Sequence, residues 1–208
     1  MVFMFATRRK QRLSSLLVGM VLILGTSMAP AETNRSVVYQ LAEGNADLRG
    51  RFLNRKVALQ DFLPQMDTRH LILTNQLSFT CSQQVGLVSE NHYSDIAKFL
   101  RNALVNELIQ LEVFEHDAPT RVSGNLAEVN AYLSQHSFPG SAYLGSWEFT
   151  LRLRSSLGKS FDFKSTHSFS IDRSSEYCEE MIDEFVPGVH VLIRSILESE
   201  QFYSLITS

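Results

Sequence analysis

The chain has 208 residues, 44% of them hydrophobic and 20% charged, with 19 basic against 22 acidic side chains. Apolar content at this ordinary globular level excludes a collagen, a disordered tail and a small disulfide-dense toxin. Only one apolar run approaches spanning length, which excludes a polytopic membrane protein, and a length near 200 suits one compact domain with or without a tail.

The first thirty or so residues read as an address. Arg8, Arg9, Lys10 and Arg12 form a basic start, and an apolar stretch from Leu13 to Leu24 follows, broken only by Ser14, Ser15 and Gly19. Gly25, Thr26 and Ser27 then lead into Ala29-Pro30-Ala31. Positive n-region, short h-region and small residues in that order make a secretory signal peptide over residues 1–31. Cleavage is expected after Ala31, because cutting after Ala29 would place Pro30, with its fixed φ and missing N–H, beside the scissile bond. Contact with the membrane is expected only through this leader, should it stay uncleaved. No Cys lies near its end, so no lipid anchor is expected on the mature N-terminus.

Processing removes four basic residues and leaves 15 basic against 22 acidic side chains, a net charge of −7. So acidic a chain is a poor general binder of phosphate backbones, and nucleic acid is not an expected partner. Both cysteines, Cys81 and Cys178, survive processing. An even count in an exported chain points to a disulfide, since that compartment is oxidising. Closing a loop of almost a hundred residues stabilises by roughly 4–5 kcal/mol on the chain-entropy argument.

Residues 32–69 read as a partly irregular N-terminal arm with one short helix or strand packing on the main body, with Gly44 and Gly50 as breakers and a short apolar patch (Val57, Leu59, Phe62, Leu63) stopping at Pro64. A single α+β domain is expected over 70–208. Leu71, Leu73, Asn75, Leu77, Phe79 and Cys81 alternate with polar residues, the strand period of two. From Ser94, an N-cap type followed by Asp95, the residues Ile96, Phe99, Leu100, Ala103, Leu104, Leu108 and Leu111 recur every three or four, which predicts an amphipathic helix of about five turns. Val122, Gly124 and Leu126 suggest a short strand, and 130–145 reads as an irregular loop rich in aromatics, Pro and Gly.

The clearest β signal comes next. Trp147, Phe149, Leu151 and Leu153 alternate with Glu148, Thr150, Arg152 and Arg154. A turn holding Gly158 follows, and then Phe161, Phe163, Ser165, His167, Phe169 and Ile171 on one face of a partner strand. From about Ser175 to Leu197 a helical stripe carries Pro187 and Gly188 in its middle, where a kink or two abutting helices are expected. The order β-α-β-β-β-α predicts an α+β, two-layer sandwich: a roughly four-stranded, mainly antiparallel sheet with two helices on one face. A Cys81–Cys178 bridge would tie the two layers together.

Chemistry is harder to find. The six histidines lie far apart with no H-x-H and no H-E-x-x-H, so no metal is expected. Glu112 and His116 stand one helical turn apart, the spacing of a surface pair. His167 lies on the apolar side of its strand, where a histidine is commonly bonded to backbone. Gly158-Lys159-Ser160 resembles the end of a phosphate-binding loop, but Leu153 stands where its first Gly belongs and a strand follows instead of a helix. Glu148 and Asp162 on the wet side of the hairpin have Arg152, Arg154 and Lys164 as salt-bridge partners. Glu179, Glu180, Asp183 and Glu184 read as a solvated helix face. There is no G-x-S-x-G elbow, no catalytic residue is assigned, and no motif calls for a cofactor.

The helix Tyr93-Ser94-Asp95-Ile96-Ala97-Lys98-Phe99-Leu100-Arg101-Asn102-Ala103-Leu104, the opening Val122-Ser123-Gly124-Asn125-Leu126, the Trp147 hairpin and the ending with Cys178, Phe185-Val186-Pro187, Leu192-Ile193 and Glu200-Gln201-Phe202 resemble small, largely uncharacterised envelope lipoproteins of Gram-negative bacteria. This chain departs from them in lacking a lipobox cysteine. The resemblance implies a periplasmic, non-catalytic binding or accessory protein that works on envelope protein partners. Two other readings stand beside it. One is a small-ligand binder using loop 130–145, with Tyr132, Phe138, Tyr143 and His167 as binding residues. The other is a hydrolase whose triad is assembled from distant residues.

Overall fold

A computed structural model describes residues 33–64, 76–81, 93–135, 143–171 and 177–207. The leader and Phe138 fall outside them. Six strands are described: β1 (Thr33–Val38), β2 (Ala58–Pro64), β3 (Gln76–Cys81), β4 (Arg121–Gln135), β5 (Tyr143–Ser155) and β6 (Ser160–Ile171). Four α-helices accompany them: α1 (Tyr93–Gln110), α2 (Tyr177–Asp183), α3 (Phe185–Glu198) and α4 (Glu200–Ile206), with a 3-10 helix over Asn45–Phe52.

The α+β expectation holds, with a four-stranded sheet in the order β2-β4-β5-β6. β2 runs parallel to β4, and the other two pairs are antiparallel. The strand read from the alternation up to Cys81 exists as β3, but it pairs antiparallel with β1 in a separate two-stranded sheet. The fourth place in the main sheet goes to β2, from the segment expected as an arm. Residues of that segment enter the core as well: Phe52, Val57, Leu59 and Phe62 are all buried.

β5 shows the two-layer logic most plainly. Its odd-numbered residues Trp147, Phe149, Leu151 and Leu153 are at most 1% exposed, while on the alternate positions Glu148 and Thr150 are half-buried and Arg152 and Arg154 exposed. The buried face meets the helices. α1 lies against β2 and β4, and α3 lies against β6 and β5. In α3 the stripe Val189, Leu192, Ile193, Ile196 and Leu197 is buried, and each such side chain contributes about 1.5–3 kcal/mol of transfer free energy. Phe185 opens α3 in the middle of an aromatic cluster, with Trp147 at 5.0 Å, Phe99 at 5.5 Å and Phe149 at 5.8 Å between ring centroids. Gly188 lets α3 come close to the sheet, since a Cβ there would lie 3.1 Å from Phe149 Cε2 and 3.3 Å from Trp147 Cβ.

The predicted long C-terminal helix is two abutting helices, divided at Glu184 and thus just ahead of Pro187. Pro187 has no N–H to give the Asp183 carbonyl four residues back, so the break falls upstream of it, and in the first turn of α3 it needs no donor. Beside the break, the Trp147 indole Nε1–H donates to the Met181 carbonyl at 2.8 Å. α4 then folds back with Phe202, Leu205 and Ile206 buried, and Ser199 Oγ caps it by accepting from the Phe202 N–H at 3.0 Å.

Candidate functional site

Stretch 130–145, expected as an irregular loop, is regular strand at both of its described ends. Asn130 to Gln135 continue β4 and pair in register with Glu148 to Tyr143 of β5. A register shift between Leu126 and Glu128 explains the difference. It moves the core-facing residues from even positions (Val122, Gly124, Leu126) to odd ones (Val129, Ala131), so no single alternation runs through the strand.

That register also separates the residues expected to bind together. Tyr132 lies opposite Ser146, which in turn lies opposite Ser168, on the outer face of the sheet. His167 lies opposite Trp147, on the core face. Tyr143 lies opposite Ile171 and packs against the core. So Tyr143 and His167 share a face, and Tyr132, 49% exposed, looks the other way.

His167 is bonded to a carboxylate rather than to backbone: its Nε2 is 2.7 Å from Glu184 Oε2, and its ring stacks on Phe169. Glu184 therefore leaves the acidic stretch to meet the sheet. Glu112 and His116 do not share a helical turn. α1 stops at Gln110, and Glu112 takes a left-handed φ of 61° and ion-pairs with Arg49. Gly158 sits in the β5–β6 turn with φ 83°. The Lys159 Nζ beside it donates to the carbonyls of Ser204 and Thr207, both at 2.9 Å, which fixes the end of α4 to the hairpin. Among the described residues, no three His, Cys, Asp or Glu side chains converge as metal ligands.

Two features were not read from the sequence. The first is Glu107, a carboxylate buried completely inside α1. Its Oε1 accepts from the Tyr39 hydroxyl at 2.6 Å and from the Ala42 N–H at 2.7 Å, so the 39–42 segment is strapped to the helix. The Tyr39 phenol is held well above its ordinary pKa, first by burial and then by this bond to Glu107 and the charge of its carboxylate. His190 secures the same segment from α3, with its Nε2 2.7 Å from the Gln40 carbonyl. A signal was present: Glu107 stands one turn after Ala103 and one turn before Leu111, in the apolar stripe.

The second feature is the outer sheet face, which lies opposite the helices. Its rows read Ser123–Arg154–Ser160, Asn125–Arg152–Asp162, Glu128–Thr150–Lys164, Asn130–Glu148–Thr166 and Tyr132–Ser146–Ser168. An open groove of about 300 Å³ crosses it, lined by Asp61, Leu63, Ser123, Asn125, Arg152 and Arg154. The salt bridge expected for Asp162 is formed. Arg152 donates through Nε at 2.6 Å and Nη2 at 3.0 Å to its two oxygens, a two-pronged geometry that holds the carboxyl below its usual pKa. Leu63 at 64% and Leu144 at 40% exposure add apolar ground to this polar surface. Such a face can recognise a partner by hydrogen bonds and charge over an extended area.

No helix among the described residues is long and apolar enough to cross a membrane. No family model matches the chain, and no curated protein matches it. Among solved structures the chain is similar to the PelC dodecamer from Paraburkholderia phytofirmans, at 13% identity and a TM-score of 0.31 over 82% of this chain and 99% of that one. It is also similar to a Xanthomonas campestris protein from a domain family of unknown function, at 8% identity and a TM-score of 0.31 over 73% of this chain and 82% of that one. At these scores neither likeness bears on what the chain does.

Proposed function

We propose that this is an exported, periplasmic protein of the cell envelope that works by binding a protein partner, with the outer sheet face as its docking surface. The observation that carries the reading is the one-sided roof. The helices pack on one face of the sheet, and the other offers rows of Ser, Thr, Asn, Arg and Glu interspersed with exposed Leu63, Tyr132 and Leu144. The basic-then-apolar leader motivates export. A photo-crosslinking residue at Thr150 or Tyr132 is expected to capture an envelope protein in intact cells, and the same probe at Arg194 on α3 is expected not to. Equal capture from both faces, or none from either, overturns the proposal.

Export also places the two cysteines in one bridge, Cys81 to Cys178. α2, which carries buried Cys178, lies against β1, the strand paired with β3, and β3 ends at Cys81. Among the described residues there is no free cysteine. Thiol titration of the non-reduced, denatured protein is expected to find none, and two reactive thiols would refute the bridge.

A further inference from the structure

The four-stranded sheet has two edges, and they are built differently. At one edge, β2 has seven residues, carries a register shift between Leu59 and Phe62, includes Asp61 and closes on Pro64. Shortness, a bulge, a charge and a proline are the devices that stop an edge strand from recruiting another strand. At the other edge, β6 has twelve residues, no proline, and an unbroken register with β5 from Tyr143↔Ile171 to Arg154↔Ser160. Among the described residues no strand pairs with the far side of β6.

The side chains of β6 are self-complementary. When the strand is laid antiparallel against a second copy of itself, facing residues must share parity, or one copy turns its apolar set to water. Two such registers pair eleven of the twelve residues of β6. The one centred on Ser165 leaves Ile171 unpaired and sets Phe163 opposite His167, whereas the one centred on Thr166 pairs the four apolar residues with one another and is the favourable one. On the core face it sets Phe161 opposite Ile171 of the second copy and Phe163 opposite Phe169 of the second copy. Phe161 and Phe169 are only partly buried within one chain, so both gain cover. On the outer face Thr166 meets its own counterpart, Lys164 meets Ser168 of the second copy, and Asp162 meets Ser170 of the second copy. No like charges stand opposite each other, and aromatic and Thr–Thr cross-strand pairs are favourable.

We propose that β6 is a dimerisation edge, where two copies of this chain join β6 to β6 about a two-fold axis at Thr166 to make one continuous eight-stranded sheet. The helices of both copies then lie on one side and the two polar faces run together on the other. This inference rests on the strand pattern and stands whether or not the chain is exported or docks a partner through its outer face.

The test uses the full mature chain. Light scattering coupled to size exclusion is expected to give a dimer whose population rises with concentration. Thr166→Lys, at an exposed position, sets two ammonium groups opposite each other and is expected to weaken dimerisation by about tenfold or more. Thr166→Ser should leave it unchanged, and circular dichroism checks that the fold persists. Under mild oxidation Thr166→Cys is expected to form a covalent dimer across the axis. Mixed Lys164→Cys and Ser168→Cys chains should crosslink to each other, while Ser168→Cys alone should not. A wild-type protein that stays monomeric at every concentration overturns the proposal. So does a dimer that Thr166→Lys leaves intact and Thr166→Cys fails to capture.

Discussion

Removing one oxygen from Tyr39 measures how firmly the N-terminal segment is held. In Tyr39→Phe the edge-on ring contacts with Phe99 and His190 survive, and only the 2.6 Å bond to Glu107 is lost. The second carboxylate oxygen of Glu107 is buried with no hydrogen-bond partner among the described residues, so nothing in place takes over. A hydrogen bond to a charged group contributes about 1.5–3 kcal/mol. Tyr39 is only partly buried, which places this bond near the lower half, at about 2 kcal/mol, or about 4–8 °C in Tm for a chain of this size. Glu107→Gln keeps an oxygen that can accept but removes the charge, so in that background the hydroxyl is worth about 0.5–1.5 kcal/mol. Guanidinium unfolding of the wild type, both single variants and the double variant should therefore give a coupling of about 1 kcal/mol with unchanged m-values. Tyr39→Phe costing less than about 0.5 kcal/mol, or single effects that simply add, would refute the strap.

Three further outcomes follow from the packing and the titration of this fold. Gly124→Ala would place a Cβ 2.6 Å from Phe62 Cε1 between β4 and β2 and should cost about 1–3 kcal/mol. Gly50→Ala meets nothing within 4 Å and should be neutral or slightly stabilising, so similar denaturation midpoints for the two would contradict the close β2–β4 approach. Trp147→Phe loses the bond to the Met181 carbonyl and leaves a small cavity, costing about 2–4 kcal/mol. Amide exchange should accelerate in α2 before α3, and uniform acceleration would argue that the indole does not secure the helix break. The raised pKa of Tyr39 predicts alkaline weakening. Below about pH 10 folded and unfolded chains both keep this proton, whereas above it the unfolded chain releases the proton and the folded chain retains it, so stability falls by up to about 1.4 kcal/mol per pH unit. Tyr39→Phe should flatten that limb, and an unchanged alkaline slope would show that the phenol does not cause it.

Elements with an uninterrupted period were legible in the sequence. α1 announced itself by its stripe, and the β5–β6 hairpin by alternation on both sides of a Gly158 turn, because neither contains an irregularity. β2 was not legible as a sheet member. The register shift after Leu59 puts Val57, Leu59 and Phe62 out of step with a period of two, and its parallel pairing with β4 leaves no turn signal nearby. β3 was legible as a strand but not by partner, since alternation records which face is buried and says nothing of the neighbour across the hydrogen bonds. β4 was half legible for the reason β2 was missed. The change of parity between Leu126 and Glu128 made its second half resemble a loop.

That same parity change decides what the sequence could say about a site. Tyr132 and His167 drew notice as an aromatic in a loop and a histidine on an apolar face, and a binding pocket followed only if the loop could bring the two together. Once 130–135 is strand, Tyr132 is committed to the outer face and His167 to the core face, and no loop motion reunites them. What remains on the outer face is a surface of many modest polar groups, the kind of feature that motif reading passes over because no residue in it is unusual. Arg152 shows why such a surface still carries information. Its bidentate hold on Asp162 uses up one positive charge, while Arg154, two residues along on the same face and lining the groove, has no ion pair among those described. A partner bearing a carboxylate would find Arg154 available and Arg152 engaged. Substituting Arg154 by Gln should therefore weaken capture at Thr150 far more than substituting Arg152 does, and equal losses would count against the groove as the centre of that contact.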